Sequence, residues 1–192
     1  MNRRDAIARV GLLMGGAVMG ADVFLTGCVR KSEVAASELT FTPENISFLD
    51  EVGETILPTT ASSPGAKEAK IGEFMKAIVS DCYEKKDQDV FVEVFTKLDQ
   101  SSEKKFGKIF LKLSPDDRQS LLVAIDLEAN DHQKLKKADE PEHYFTLVKQ
   151  LTLWGYFTSE VGSTKALRYL PVPGRYEGCI PYKKGDKAWA RT

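Results

Sequence analysis

The sequence predicts an all-α protein: a helical bundle of about five helices that ends in an extended, irregular arm. Three observations predict it. Apolar residues recur at spacings of three and four along successive stretches of the chain. Two of those stretches open with a hydroxyl residue and a proline, Thr42-Pro43 and Ser114-Pro115, a pairing that caps a helix and starts it with a residue lacking an N–H. After Gly162 the periodicity stops and Pro, Gly and aromatic residues take over, while no segment alternates strongly enough to predict a strand.

Residues 1–27 read as an export leader and not as part of the fold. Arg3 and Arg4 precede, beyond Arg9, a weakly apolar stretch studded with glycine that Asp22 interrupts. A membrane-crossing helix needs about 20 consecutive apolar residues, which this run does not reach. Paired arginines before a mild, Gly-rich core resemble the twin-arginine signal, which is read by a receptor and carries folded cargo. Asp5 and Ala6 fit that signal, whereas Ala6-Ile7 replaces a bulky apolar residue directly behind the arginines. Leu25-Thr26-Gly27-Cys28 resembles the processing box of bacterial lipoproteins, in which a diacylglycerol joins the cysteine sulfur. Each buried methylene is worth about 0.8 kcal/mol, so a cysteine carrying two or three chains stays anchored. The expectation is an exported protein held by lipid on Cys28 at the periplasmic side of a bacterial membrane. Residues 28–40, polar and without periodicity, form its tether.

The helical domain is expected over 41–161, and roughly 165 residues after cleavage lie in the one-domain range. Its first helix, capped by Thr42, carries Ile46, Leu49, Val52, Ile56 and Leu57 and stops at Pro58, with a Ser/Thr/Pro loop over 59–65. Ile71, Phe74, Met75, Ile78 and Val79 mark the second helix. Val90, Phe91, Val94, Phe95 and Leu98 mark the third, beyond a dividing charged run over 83–89. Residues 106–113 either extend the third helix or form a short one. The Ser114 start leads into Leu121, Leu122, Ile125 and Leu127 and a helix toward Ala129, then a lysine-rich connection over 132–139. The last helix begins at Pro141-Glu142-His143, and its apolar set from Tyr144 to Phe157 covers more than one face. Such a helix lies at the centre of its bundle or is covered by something else. The arm occupies 162–192.

Charge gives no partner away: 27 Lys and Arg balance 28 Asp and Glu, interleaved, with no basic face for nucleic acid. His132 and His143 have no cysteine or carboxylate at ligand spacing, which argues against a metal site. C-x-x-C, C-x-x-C-H and G-x-G-x-x-G motifs are missing, so no cofactor is expected in this chain. The acidic pairs Glu51/Glu54 and Asp116/Asp117 read as solvated faces or dipole-matching starts, and no catalytic residue is assigned. Cys82 and Cys179 are the candidate disulfide residues. Export favours pairing of some kind, with each other or with another chain, while a buried free thiol is the plain reading of Cys82.

Residues 155–162 (Gly-Tyr-Phe-Thr-Ser-Glu-Val-Gly) and 166–179 (Ala-Leu-Arg-Tyr-Leu-Pro-Val-Pro-Gly-Arg-Tyr-Glu-Gly-Cys), continuing through Ile180-Pro181-Tyr182 to Trp189, resemble the gluconate 2-dehydrogenase subunit 3 family. Leu49-Asp50-Glu51-Val52, Thr55-Ile56-Leu57-Pro58-Thr59-Thr60 and Ser63-Pro64-Gly65-Ala66 are similar to it as well. The resemblance implies a non-catalytic accessory subunit of a membrane-associated dehydrogenase. A separate flavoprotein there oxidises a sugar or sugar acid and a cytochrome takes the electrons. FAD, and haem c in a cytochrome subunit, are then expected in the partners. The chain would bind the flavoprotein, aid its maturation and supply the export signal.

The residues expected to face that partner are Tyr156, Arg168, Tyr169, Pro171, Pro173, Arg175, Tyr176, Cys179, Tyr182 and Trp189. Their rings offer large contact areas with polar ends, and arginines fork to carboxylates or carbonyls. The same rings would also fill a core if the arm wrapped back onto the helices. The competing function is an independent surface or periplasmic lipoprotein that binds a ligand or partner.

Overall fold

The computed structural model describes residues 40–172, 174, 175 and 178–190. The leader, the tether through 39, the lipidation residue Cys28 and the export pair Arg3 and Arg4 lie outside the described residues, as do Pro173 and Tyr176 of the arm.

Five α-helices make up the described body: α1 (Pro43–Ile56), α2 (Ile71–Cys82), α3 (Lys85–Phe106), α4 (Pro115–Leu135) and α5 (Tyr144–Thr158). The all-α bundle expected from the sequence is the fold. Among the described residues no strand forms, only the isolated bridges Thr60 to Ser63 and Arg168 to Trp189. No helix among them is long and apolar enough to cross a membrane.

Both proline-first starts are capped as expected. Thr42 Oγ1 accepts the Asn45 N–H at 3.2 Å, and Ser114 Oγ accepts the Asp117 N–H at 3.2 Å while donating to Asp117 Oδ2 at 2.7 Å. Each such cap is worth about 1 kcal/mol. Asp117 therefore completes a reciprocal cap in addition to matching the helix dipole.

Several boundaries move. The charged run separates α2 from α3 only at Tyr83 and Glu84, because α3 begins at Lys85 and takes in the rest of the run. Gln88, one turn in, reaches back with Nε2 to the carbonyls of Val79 and Tyr83 at 3.0 and 3.2 Å. It satisfies acceptors that the end of α2 would leave open. Residues 106–113 resolve into a stop at Gly107 and a 3₁₀ turn, Phe110–Lys112. Helix α4 continues to Leu135, through the start of the lysine-rich stretch. Helix α5 starts at Tyr144, with His143 as its cap in place of a start at Pro141.

Helix α5 touches each of the other four, and its Phe145, Val148, Leu151 and Tyr156 are buried among them. At the other side, a chain of phenylalanines ties α1 to α3: Phe41 to Phe91 and Phe95, then Phe48 to Phe95 and Phe110, with ring centres 5.5–6.3 Å apart. Full burial of a side chain this size is worth about 1.5–3 kcal/mol.

The acidic pair of α1 is structural and not merely solvated. Glu51 meets Lys67 Nζ and lies 2.7 Å from Arg118 Nη1. Glu54 accepts the Thr59 N–H at 2.8 Å and the Lys67 N–H at 3.0 Å, shaping the loop that follows α1. The bond from Lys67 chiefly holds the Glu51 carboxyl below its usual range, against the opposing effect of burial.

Candidate docking surface

The chain leaves α5 through a π-helical turn, Gly162–Ala166. Ser159 starts it: its Oγ donates to Tyr156 O at 2.7 Å and accepts the Gly162 N–H at 3.0 Å. A Cβ on residue 162 would lie 1.9 Å from Tyr156 O, so only glycine lets the chain double back this tightly. The irregular part of the arm accordingly begins at Leu167, five residues later than the sequence suggests.

From there the arm closes on itself. The Arg168 N–H donates to Ala188 O and the Ala190 N–H to Arg168 O, both at 2.8 Å. The Arg168 guanidinium lies over the Trp189 ring, 4.5 Å from its centre, a cation–π contact worth about 0.5–2 kcal/mol. Lys187 Nζ donates to Ser62 O at 3.3 Å and also to Lys165 O, and Lys165 pairs with Glu68 at 2.9 Å. These contacts form a neck beside the loop over 59–65. A turn at Lys183 to Asp186, with Gly185 at φ 94°, brings the chain back to it.

The sequence left open whether the arm lies along a partner or wraps onto its own helices; among the described residues some of its rings are held within the chain and others are exposed. Tyr156 is core and not surface: it is 3% exposed, and its hydroxyl donates to Pro64 O and meets Ser63 Oγ. Arg168 and Trp189 are committed to each other at the neck. Tyr169, Pro171, Arg175, Cys179 and Tyr182 are exposed, Tyr182 by 79%.

Cys82 and Cys179 are both free and exposed. A mutual disulfide is not formed. The core position expected of Cys82 is not taken either, because it is the last residue of α2 and turns outward where Val79 turns in.

The fold also brings together two histidines that the sequence set apart. Antiparallel packing of α4 and α5, fixed by Lys149 and Asp126 at 2.7 and 2.8 Å, places His132 and His143 with ring centres 5.8 Å apart. His143 Nδ1 accepts the Phe145 N–H at 3.2 Å, and its ring lies against Tyr144. Burial pushes the imidazole below its ordinary value; His132 and Lys97 act the same way, and Glu128 and Glu93 oppose them. Burial likewise pushes the Tyr144 phenol up to about 12. His132 Nδ1 and Glu142 Oε2 are buried there without hydrogen-bond partners, while Glu142 Oε1 pairs with Lys136 at 3.1 Å.

A protonated Nδ1 cannot accept the Phe145 N–H, and a positive charge opposes the dipole at the start of α5. The unfolded imidazole titrates near 6.5 and the folded one lower, so more protons are bound in the unfolded state between the two values. The stability of this cap is therefore fully present above pH 6.5 and is lost as pH falls through the folded value. Thermal melts across that window should show a loss of about 1 kcal/mol, the worth of a cap. His143→Asn, which caps without titrating, should flatten the dependence; an unchanged slope in that variant would remove His143 from the account.

A third feature is the outward side of α5. Leu153, Trp154 and Phe157 share it and are 37%, 53% and 38% exposed. Toward α4 and α1 lies an open cleft of about 250 Å³ lined by Ile56, Val123, Leu127 and Phe145 together with the paired Asp126 and Lys149. On its α2 side the Trp154 ring meets Phe74 edge-on at 5.4 Å. The signal for this strip was in the sequence, in the apolar residues that cover more than one face of the last helix.

The chain matches the family described as Gluconate 2-dehydrogenase subunit 3 over residues 43–174, from the first residue of α1 into the necked loop. The chain belongs to this family. Membership makes it kin to a subunit of a dehydrogenase complex, with the five-helix body lying wholly within the match. The match ends before Cys179, Tyr182 and Trp189. No curated protein and no solved structure matched the chain.

Proposed function

We propose that this chain is the non-catalytic small subunit of a flavin-dependent, membrane-associated sugar or sugar-acid dehydrogenase. The observation that carries the reading is the family match, which takes in the entire helical body. In this reading the catalytic flavoprotein holds FAD and passes electrons to a cytochrome subunit with haem c. The chain binds the flavoprotein, aids its maturation, and takes it through the twin-arginine route by Arg3 and Arg4. Lipid on Cys28 then holds the complex at the periplasmic face of the membrane. The export and lipid assignments are supported by the order of the leader, paired arginines followed by Leu25-Thr26-Gly27-Cys28. The necked loop supports a binding role, since it offers Tyr169 and Tyr182 on a closed base that limits the entropy lost on contact.

The test is affinity capture of the full chain from its native membrane, read by flavin absorbance and by the masses of co-eluting chains. A co-eluting flavoprotein of dehydrogenase size is expected. Tyr169→Ala combined with Tyr182→Ala, which leaves the pairing of Arg168 with Trp189 in place, is expected to weaken its capture. Cys28→Ser should move the complex from the membrane to the soluble fraction. Recovery of the chain alone and colourless would overturn the reading.

A further inference from the structure

We propose that the outward strip of α5, formed by Leu153, Trp154 and Phe157 and extended by Val123 and Leu127 of α4, is a docking face for the catalytic chain of the dehydrogenase. The inference rests on the accessory-subunit reading and adds to it a surface separate from the arm.

Two features of the strip distinguish it from the rest of the surface. The first is its composition. Along the fifteen residues of α5 the only Lys, Arg, Asp or Glu is Lys149, and its charge is met by both oxygens of Asp126. The outer side of α3, by contrast, carries Glu93, Lys97, Glu103, Lys104 and Lys105. Depletion of charge together with enrichment in aromatic residues marks the centre of protein interfaces. The second is continuity: Leu153 and Phe157 lie one turn apart with Trp154 beside them, and Lys149, one turn before Leu153, lines the cleft in which Val123 and Leu127 are exposed.

The missing charge also bears on the occupant. A helix that rests on a membrane presents its apolar side between lysines and arginines that meet anionic headgroups. The exposed side of α5 beyond Lys149 has none: Gln150, Leu153, Trp154, Phe157 and Thr158. A neutral strip is complementary to a neutral, apolar protein face, and membership in a family of dehydrogenase subunits gives the chain a heterologous partner. A stable contact covers about 800 Å² on each side, and of the about 150–250 Å² that an aromatic side chain can bury, Trp154 still exposes 53% and Phe157 38%. The strip is thus sized to be the apolar centre of a contact whose remainder lies around it.

The test uses the full chain co-expressed with the flavoprotein. Trp154→Glu combined with Phe157→Glu should weaken capture of the flavoprotein by at least about 30-fold, the scale of losing an interface hot spot. Leu135→Glu, at the exposed end of α4, should leave capture unchanged. The chain has two tryptophans, so a Trp189→Phe chain grown with 7-azatryptophan, which is excited to the red of the flavoprotein's own tryptophans, reports on position 154 alone, and its emission should shift to the blue when flavoprotein is added. That second readout does not require the charged variant to fold. If wild type captures flavoprotein and the double variant does so equally, or emission from position 154 stays unshifted in the complex, the docking face is refuted while the accessory reading stands. If wild type captures none, the accessory reading falls and the docking face with it. Loss of vesicle binding or of self-association in the double variant, with flavoprotein capture intact, would reassign the strip to a membrane or to a second copy.

Discussion

Replacing Arg118 with alanine is expected to destabilise the bundle by about 2–3 kcal/mol, a fall of roughly 5–10 °C in Tm for a chain this size. Arg118 joins α4 to α1 and to the turn between α3 and α4 at once. Its Nη1 donates to Glu51 at 2.7 Å, its Nη2 to Leu111 O at 2.6 Å and its Nε to Phe110 O at 3.3 Å. The guanidinium also lies 5.4 Å from the centre of the Phe110 ring. An exposed ion pair is worth under about 1 kcal/mol, and losing one partner of a fully buried pair costs about 3–5. Arg118, 17% exposed at its side chain, falls between these limits, and two carbonyls lose their donor along with the carboxylate. Lysine should rescue little, because one ammonium cannot meet three acceptors set in a fork. Lys67→Met removes the more exposed partner of the same carboxylate and should cost under about 1 kcal/mol. Denaturant melts of the three variants decide the matter; equal effects for Arg118→Ala and Lys67→Met would sink the argument.

The contrast between these two partners of Glu51 shows what was legible in the sequence. Local rules carried the helices: Thr42-Pro43 and Ser114-Pro115 start them, Pro58 stops one, and the stripes from Ile46 to Ile125 locate the buried sides, whereas Leu127 of the same pattern is exposed. Glu51 read as an ordinary surface acid because its partners stand 16 and 67 residues away. No spacing rule reaches that far. His132 and His143 were set apart for the same reason, since their meeting depends on how α4 packs on α5.

The arm was hardest to read. Its composition announced irregular chain and interface chemistry, but the same aromatic residues suit a core, a neck or a contact. Tyr156 went to the first, Trp189 to the second, and Tyr182 stayed on the surface. What decided between them was position in three dimensions. Tyr156 follows the buried Thr152 by one turn and so points inward, whereas Trp189 lies where the returning chain pairs with Arg168. The outward strip of α5 was partly foreseeable, since an apolar set too wide for one face must leave some of itself outside.

Gly72→Ala sets a local rule against the packing and should resolve in favour of packing. Position 72 lies in the first turn of α2, and alanine in a helix is favoured over glycine by about 1 kcal/mol, which alone predicts a more stable protein. A Cβ there, however, would stand 2.4 Å from the carbonyl oxygen of Ile46 and 3.0 Å from its Cγ2. The obstacle is the backbone of α1, which cannot turn aside as a side chain would, so the two helices must part. Overpacking of this kind costs about 1–3 kcal/mol or more, and parting the helices also stretches the 2.8 Å bond from the Gly72 N–H to Asp50 Oδ1. The expected net result is a loss of about 2 kcal/mol. It should also be felt at a distance: the segment joining α1 to α2 holds the neck of the arm through Ser62 O and Glu68. Amide exchange at Arg168 and Ala190, whose N–H groups close the neck, should therefore quicken in the variant. A variant more stable than wild type would show that α1 and α2 pack less closely than described. A less stable one with unchanged exchange at the neck would show that the arm is closed by its own contacts alone.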